Sequence, residues 1–162
     1  MNILVLCTGN SARSILLEYI LRTQSGGRVH SFSAGSKPSG KVHPQSIRLL
    51  SGLGIDTSAA RSKSWDVFGA ADAPRMDVVI TVCGSAAEEE CPLWPAGPNG
   101  APVRAHWGVE DPAAAPEPDW EAAFQTAYDI LERRARTFLG QDILAMDQAA
   151  LTRALNEAGQ IP

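Results

Sequence analysis

Cys7-Thr8-Gly9-Asn10-Ser11-Ala12-Arg13-Ser14 brings a nucleophile, a tight curl, a guanidinium and a hydroxyl together within eight residues. The stretch follows a short apolar run, Asn2 to Leu6, and leads into Ser14 to Gln24, which stops at Ser25-Gly26-Gly27. A buried strand, a loop and a helix are expected in that order. At such a junction several loop N–H groups can turn towards one centre, and the helix N-terminus adds partial positive charge. Gly9 and Asn10 tolerate the dihedrals that a curl requires. Arg13 supplies a planar fork of donors suited to two oxygens of a tetrahedral oxyanion. Cys7, at the base of this cradle, is expected to react as a thiolate, with Ser14 donating its hydroxyl to the same sulfur. Thr8, Gly9, Asn10, Ser11, Ala12, Arg13 and Ser14 are thus the expected oxyanion-binding residues. A buried strand-end cysteine beside a surface arginine would leave the T-G-N-S curl and the trailing serine unexplained.

Attack on an oxyanion releases an oxygen that must be protonated, so a carboxylic acid has to reach the site. Glu110-Asp111-Pro112 follows Ala101 to Trp107, a short fourth strand, and therefore falls at the same edge of the sheet as Cys7. Taken alone, Asp-Pro is an ordinary turn signal.

Two more cysteines accompany Cys7. Cys83 closes Asp77 to Cys83 (D-V-V-I-T-V-C), the run richest in β-branched residues. In a parallel sheet this strand lies beside the first, about 5 Å away. Cys91 follows eight residues later, just before Pro92. A helix would separate Cys83 from Cys91 by about 12 Å, whereas a disulfide needs Cα atoms within ~7 Å. A bridge between them requires the segment to loop out or unwind. Three readings stand side by side: a buried Cys83 with an incidental Cys91, a zinc site with His106 whose spacing is not that of a zinc knuckle, and redox partners of Cys7.

The remaining pattern supplies the scaffold. Arg28 to Ser33 reads as a second strand, and His43-Pro44 opens a helix that runs through Ile47, Leu49 and Leu50 to Gly52 and Gly54. His30 and His43 read as capping or surface residues, and Glu88-Glu89-Glu90 as a solvated face. After the proline-rich loop Pro112 to Pro118, Asp119 is the expected N-cap of a long helix. Trp120, Phe124, Ala127, Leu131, Ala135 and Phe138 form its core-facing stripe. Asp142 to Ala158 reads as a final helix, packed as an appendage. Strands alternating with helices imply an α/β fold in one domain, residues 1–140, with residues 141–162 as its C-terminal helical extension. The chain has 162 residues, 44% of them hydrophobic, and a net charge of −4. Such an acidic balance argues against a nucleic-acid binder. The longest apolar stretches fall far short of a membrane span. An odd cysteine count without an export signal points to free thiols in the cytoplasm.

The loop Cys7 to Ser14 resembles that of the low-molecular-weight tyrosine phosphatase family, C-x-G-N-x-C-R-S, with Ala12 where those enzymes usually carry a second cysteine. The resemblance implies a three-layer domain with a four-stranded parallel sheet flanked by helices. It also implies a general-acid aspartate in an Asp-Pro pair, which falls on Asp111. Ala113-Ala114-Ala115 stand where the phosphatases usually place an aromatic residue against the phosphotyrosine ring, which argues against an aryl phosphate substrate.

Cys7, Cys83, Cys91 and the run His106-Trp107-Gly108 before Asp111 resemble the arsenate reductases that share this fold, over about residues 1–140. That resemblance implies attack of Cys7 on arsenate, with phosphate or sulfate as competing oxyanions. A Cys7–Cys83 disulfide would follow, then exchange to Cys83–Cys91. An external thiol reductant is needed, and no tightly bound cofactor. Thioredoxin is expected, because Cys91 lies in a stretch of small and polar residues that should open easily; glutathione with glutaredoxin is the alternative. The resemblance also places a potassium pocket at Asn10, Ser33 and Asp66. Chemistry gives the extra thiols a use of their own: a thiol cannot reduce phosphorus(V), whereas arsenic(V) accepts two electrons. A phosphomonoesterase working through a phosphocysteine is the competing enzyme. An oxyanion-binding or redox-sensing module is the non-catalytic alternative, but it would need neither Cys7 nor Asp111.

Overall fold

The computed structural model describes residues 1–84 and 100–162, so Cys91 and Glu88-Glu89-Glu90 lie outside the described residues. The elements are β1 (Asn2–Cys7), α1 (Arg13–Gln24), β2 (His30–Gly35), α2 (Pro44–Gly52), β3 (Val78–Thr81), β4 (Val103–His106), α3 (Trp120–Leu139) and α4 (Gln148–Gly159). The four strands are parallel, in the order β2-β1-β3-β4. Leu6 pairs with Ala34 on one side and Thr81 on the other. From β1 the chain moves outward to β2, and later returns to the opposite side of β1 for β3 and β4. This reversal opens a crevice at the carboxyl end of β1, where Cys7 is the last residue.

The pleat of β1 divides its side chains between two cores. Ile3 and Val5 join the large cluster with Leu16, Ile20, Phe124, Phe138 and Leu155. Leu4 and Leu6 face Phe68, Met76 and Val79, with Phe32 and Trp65 packed at the margin. A strand covered on both faces has no polar side to show, so β1 reads as a continuous apolar run. Helix α1 is likewise buried from Ser14 to Leu21, which fixes the loop between them at both ends. Among the described residues no helix is long and apolar enough to cross a membrane.

Several expectations shift in detail. Asp119 makes no capping bond to α3. Its backbone already has near-helical dihedrals (φ −99°, ψ −2°) instead of the extended ones an N-cap uses. The chain enters α3 through a 3-10 turn, Glu117–Asp119. The last helix starts at Gln148, not at Asp142, because Asp147 is extended and its carboxylate accepts from the Ala150 amide at 2.7 Å. Nor is α4 an appendage. Leu151, Ala154, Leu155 and Ala158 are buried, and the Trp107 indole donates to the Leu155 carbonyl at 2.9 Å. Strand β3 ends at Thr81, leaving Cys83 two residues past it. The 3-10 turn Trp65–Gly69 has no periodicity by which the sequence could announce it.

His43 caps α2 as expected: its Nδ1 accepts from the Gln45 amide at 3.1 Å, and its ring lies 4.6 Å from Trp120 and 4.7 Å from Phe124. Burial lowers its pKa from 6.5, only partly opposed by Asp111. The unfolded chain therefore takes up this proton more readily than the folded one. Stability is fully present above about pH 6.5 and falls as pH drops towards the lowered folded value. His43→Asn keeps a capping oxygen but cannot titrate. Its urea midpoint should change less between pH 7.5 and pH 5.5 than that of the parent; an equal change would refute this role.

Candidate active site

The loop between β1 and α1 is held from outside by its carbonyls. The Thr8 oxygen accepts from the Lys37 amide at 3.0 Å, and the Gly9 oxygen from the Ser39 amide at 2.9 Å and the Ser62 hydroxyl at 3.2 Å. The Ser11 oxygen accepts from the His43 amide at 2.9 Å and the Ser46 hydroxyl at 3.1 Å. In a planar trans peptide the C=O and the following N–H point to opposite sides. Fixing these carbonyls outward turns the amides of Gly9, Asn10 and Ala12 inward. The Asn10 amide indeed meets the Cys7 sulfur at 3.2 Å.

Asn10 makes the curl. Its φ of 44° is the one positive value at a non-glycine residue among those described, while Gly9, also expected to adopt unusual dihedrals, has no positive φ. The Asn10 side chain is locked. Its Oδ1 accepts from the Lys63 amide at 2.8 Å, so Nδ2 must be the donor to Ser14 Oγ at 3.0 Å and Ser33 Oγ at 2.9 Å. Ser14 Oγ stands 3.0 Å from Cys7 Sγ. The Asn10 amide group holds this hydroxyl against the sulfur. Cys7, only 5% exposed, therefore sits in a pocket of donors suited to a negative charge.

Arg13 opens α1 and reaches across to the loop after β4. Its Nη1 donates to the Val109 carbonyl at 2.9 Å, and its Nη2 pairs with Asp111 Oδ2 at 3.0 Å. The other Asp111 oxygen accepts from the Ala113 amide at 3.1 Å. The aspartate thus stands at the mouth of the loop, and the neighbouring Glu110 is exposed. Cys83 is buried, and its sulfur lies 3.6 Å from Thr8 Oγ1, the residue next to Cys7. His106, the third ligand of the zinc reading, has Nδ1 2.8 Å from Thr81 Oγ1.

Behind the loop, Ser33 donates to Glu18 Oε2, and Glu18 also pairs with Arg22. The Lys63 ammonium lies 4.0 Å from the same Glu18 oxygen. Burial lowers the Lys63 pKa and Glu18 raises it. Asn10, Ser33 and Asp66 do not fit a resident potassium ion. Asn10 and Ser33 spend their polar atoms on each other and their neighbours, and Asp66 is exposed and bonded to Ser64. Lys63 and Arg22 already supply the positive charge at Glu18. Sequence reasoning passed over Glu18, although a carboxylate inside the apolar run Ile15 to Leu21 was its signal. It passed over Gly35 too: a Cβ there would collide with the Thr8 carbonyl oxygen, so only glycine lets β2 close against the loop.

The family model described as low molecular weight phosphotyrosine protein phosphatase matches residues 2–156. The chain is 36% identical over 135 residues to an arsenate reductase of Halalkalibacterium halodurans, covering 82% of this chain and 91% of that one. Among solved structures, one described as an arsenate reductase in oxidized state superposes with TM-score 0.66 at 26% identity, over 86% of this chain and 96% of the other. A thioredoxin-dependent arsenate reductase of Corynebacterium glutamicum superposes with TM-score 0.63 at 25% identity, over 90% of this chain and 63% of the other.

Gly35→Ala should push the Thr8 peptide inward and spoil the cradle while leaving the core intact. A forced methyl of this kind costs about 1–3 kcal/mol. Inorganic phosphate, titrated by calorimetry, should bind roughly 5- to 150-fold more weakly. Unchanged phosphate binding in a folded Gly35→Ala protein would refute the closure.

Proposed function

The chain belongs to the low molecular weight phosphotyrosine protein phosphatase family, and within that family we propose that it is an arsenate reductase. The observation that carries this reading is the second thiol: Cys83 Sγ lies against Thr8, beside the nucleophile's own position. A hydrolase can turn over without a second thiol, since water completes its cycle, whereas reduction of a bound centre consumes one. The Halalkalibacterium halodurans relative named arsenate reductase supports the same reading.

Arsenate enters the cradle, where the inward amides and Arg13 hold its oxygens. Its arrival displaces the Arg13–Asp111 pair, because both anions compete for one guanidinium. Freed of Arg13, Asp111 can carry the proton that the leaving oxygen needs. Cys7 attacks arsenic, an As–O bond breaks, and water leaves. Cys83 then attacks the Cys7 sulfur; the S–As bonding pair stays on arsenic, which departs as arsenite, and a Cys7–Cys83 disulfide remains. Cys91 next exchanges onto Cys83 and frees Cys7. An external dithiol reduces Cys83–Cys91, and thioredoxin is the donor we favour, in keeping with the thioredoxin-dependent Corynebacterium glutamicum neighbour. Glutathione with glutaredoxin is the alternative donor. Such a cycle requires a reducing compartment, hence the cytoplasm. The phosphatase reading is weaker because Asp111-Pro112 is followed by three alanines, which offer no platform for an aryl ring.

Cys7→Ser should abolish arsenite formation while phosphate still binds, since the amides and Arg13 remain. Asp111→Asn should slow turnover by about 10²–10⁴-fold, and Glu110→Gln by far less; the reverse ranking would assign the acid to Glu110. Steady aryl-phosphate hydrolysis without arsenite from arsenate would overturn the reductase reading in favour of the phosphatase.

The relay has its own test. Cys91→Ser should release one arsenite per chain and stop, with Cys7–Cys83 trapped and visible by mass spectrometry. Sustained turnover of Cys91→Ser with thioredoxin would contradict the proposed route.

A further inference from the structure

We propose that Arg134 is a positioning residue for the acid loop, fixing where Asp111 stands once substrate has taken Arg13 away. The inference rests on the reading of Asp111 as the general acid. Arg134 lies on α3, is 8% exposed, and makes no ion pair among the described residues. Instead its Nε donates to the Ile161 carbonyl at 2.7 Å and its Nη1 to the Gly108 carbonyl at 3.1 Å. A buried guanidinium without a counter-charge is costly to desolvate, and the hydrophobic alternative would pack the same space. What Arg134 provides that an apolar side chain lacks is a fixed two-ended fork. One end grips the residues after α4, and the other grips the chain three residues before Asp111. Arg133, beside it, holds the Pro162 carbonyl with bonds of 2.9 and 2.7 Å, so the tail end of the fork is itself secured.

The loop from β4 to Asp111 has two kinds of anchor. Permanent ones come from the scaffold: the Trp107 amide to the Thr81 carbonyl at 2.8 Å, the Trp107 indole to Leu155, the Val109 amide to the Val82 carbonyl at 3.1 Å, and Arg134 to Gly108. Arg13 supplies the other kind, gripping both the Val109 carbonyl and Asp111. An oxyanion that engages the Arg13 fork weakens this second hold at the moment when Asp111 must act. The scaffold anchors then set the acid's distance from the leaving oxygen. Arg134 is the anchor nearest the aspartate that comes from a side chain outside the oxyanion cradle. The C-terminal helix thereby contributes to catalysis through α3 and Gly108 without touching the substrate.

The experiment is a double-mutant cycle of Arg134→Gln with Asp111→Asn. Arsenite formation is followed with thioredoxin, and amide hydrogen exchange is measured with and without saturating phosphate. Arg134→Gln should lower kcat about 10- to 100-fold, as a misplaced catalytic group does, with KM changed less than 3-fold. In the Asp111→Asn background the same substitution should lower kcat less than 3-fold further. Arg134→Lys, which keeps the charge and one donor, should fall between parent and Arg134→Gln. Equal losses in both backgrounds, or an unchanged kcat, would overturn the proposal. Hydrogen exchange tests it even if the chain turns over no arsenate. In the phosphate-loaded Arg134→Gln protein, the Val109 to Ala113 amides should exchange faster while those of Asn10 to Ser14 do not. A rise in both segments, or in neither, would contradict the positioning role.

Discussion

Outward capture of the Thr8, Gly9 and Ser11 carbonyls is the constraint from which the active site follows. A loop of this length could satisfy its own polar groups in many ways, but donors from Lys37, Ser39, His43, Ser46 and Ser62 take the carbonyls first. The amides are left to face inward, where they complement an anion. The binding site is thus built by what surrounds it. Gly35 permits the close approach, Asn10 supplies the positive φ, and the buried ends of β1 and α1 prevent the loop from relaxing. The helix N-terminus adds its partial charge to the same centre.

Charge is then arranged in two shells around that centre. Inside, the Asn10 amide and the Ser14 hydroxyl converge on the Cys7 sulfur. Outside, Glu18 is compensated by Arg22 and Lys63, and through Ser33 it orients Asn10, whose amide group in turn orients Ser14. A chain of hydrogen bonds therefore runs from a buried carboxylate to the Cys7 sulfur. Across the crevice, Arg13 holds Asp111 in the free protein. In the proposed cycle this pair links binding to acid catalysis, since an oxyanion that claims the guanidinium would release the aspartate.

Much of this was legible in the sequence where local pattern and chemistry coincide. Cys7, Arg13 and Ser14 lie within one turn of chain, so a strand followed by a helix was enough to bring them together. The Glu110-Asp111 pair was readable at the crevice because strands of a parallel sheet end at one edge, while the preference for Asp111 came from the family resemblance. The Arg13–Asp111 pair puts that carboxylate beside the loop. What stayed hidden depends on contacts between distant segments. Gly35 looked like an ordinary strand end, and its necessity appears only when Thr8 is seen against it. Lys63 and Ser62 carry no periodic signal, yet they brace the loop. Asp119 looked like a cap, but a preceding 3-10 turn had already set its backbone. The final helix seemed peripheral because nothing local in its sequence tells which surface it packs against. Their burial against β4 and Trp107 shows otherwise.

The central claim is that electrons pass from the chain's own cysteines to a bound oxyanion. It is tested most directly by mixing fully reduced protein with excess arsenate in the absence of any reductant, and counting arsenite released and thiols lost per chain. Two thiols lost for each arsenite formed, with the reaction stopping at one arsenite per chain, is the result predicted. Arsenite absent while all three thiols persist would contradict the account, as would thiol loss that proceeds equally well with phosphate in place of arsenate.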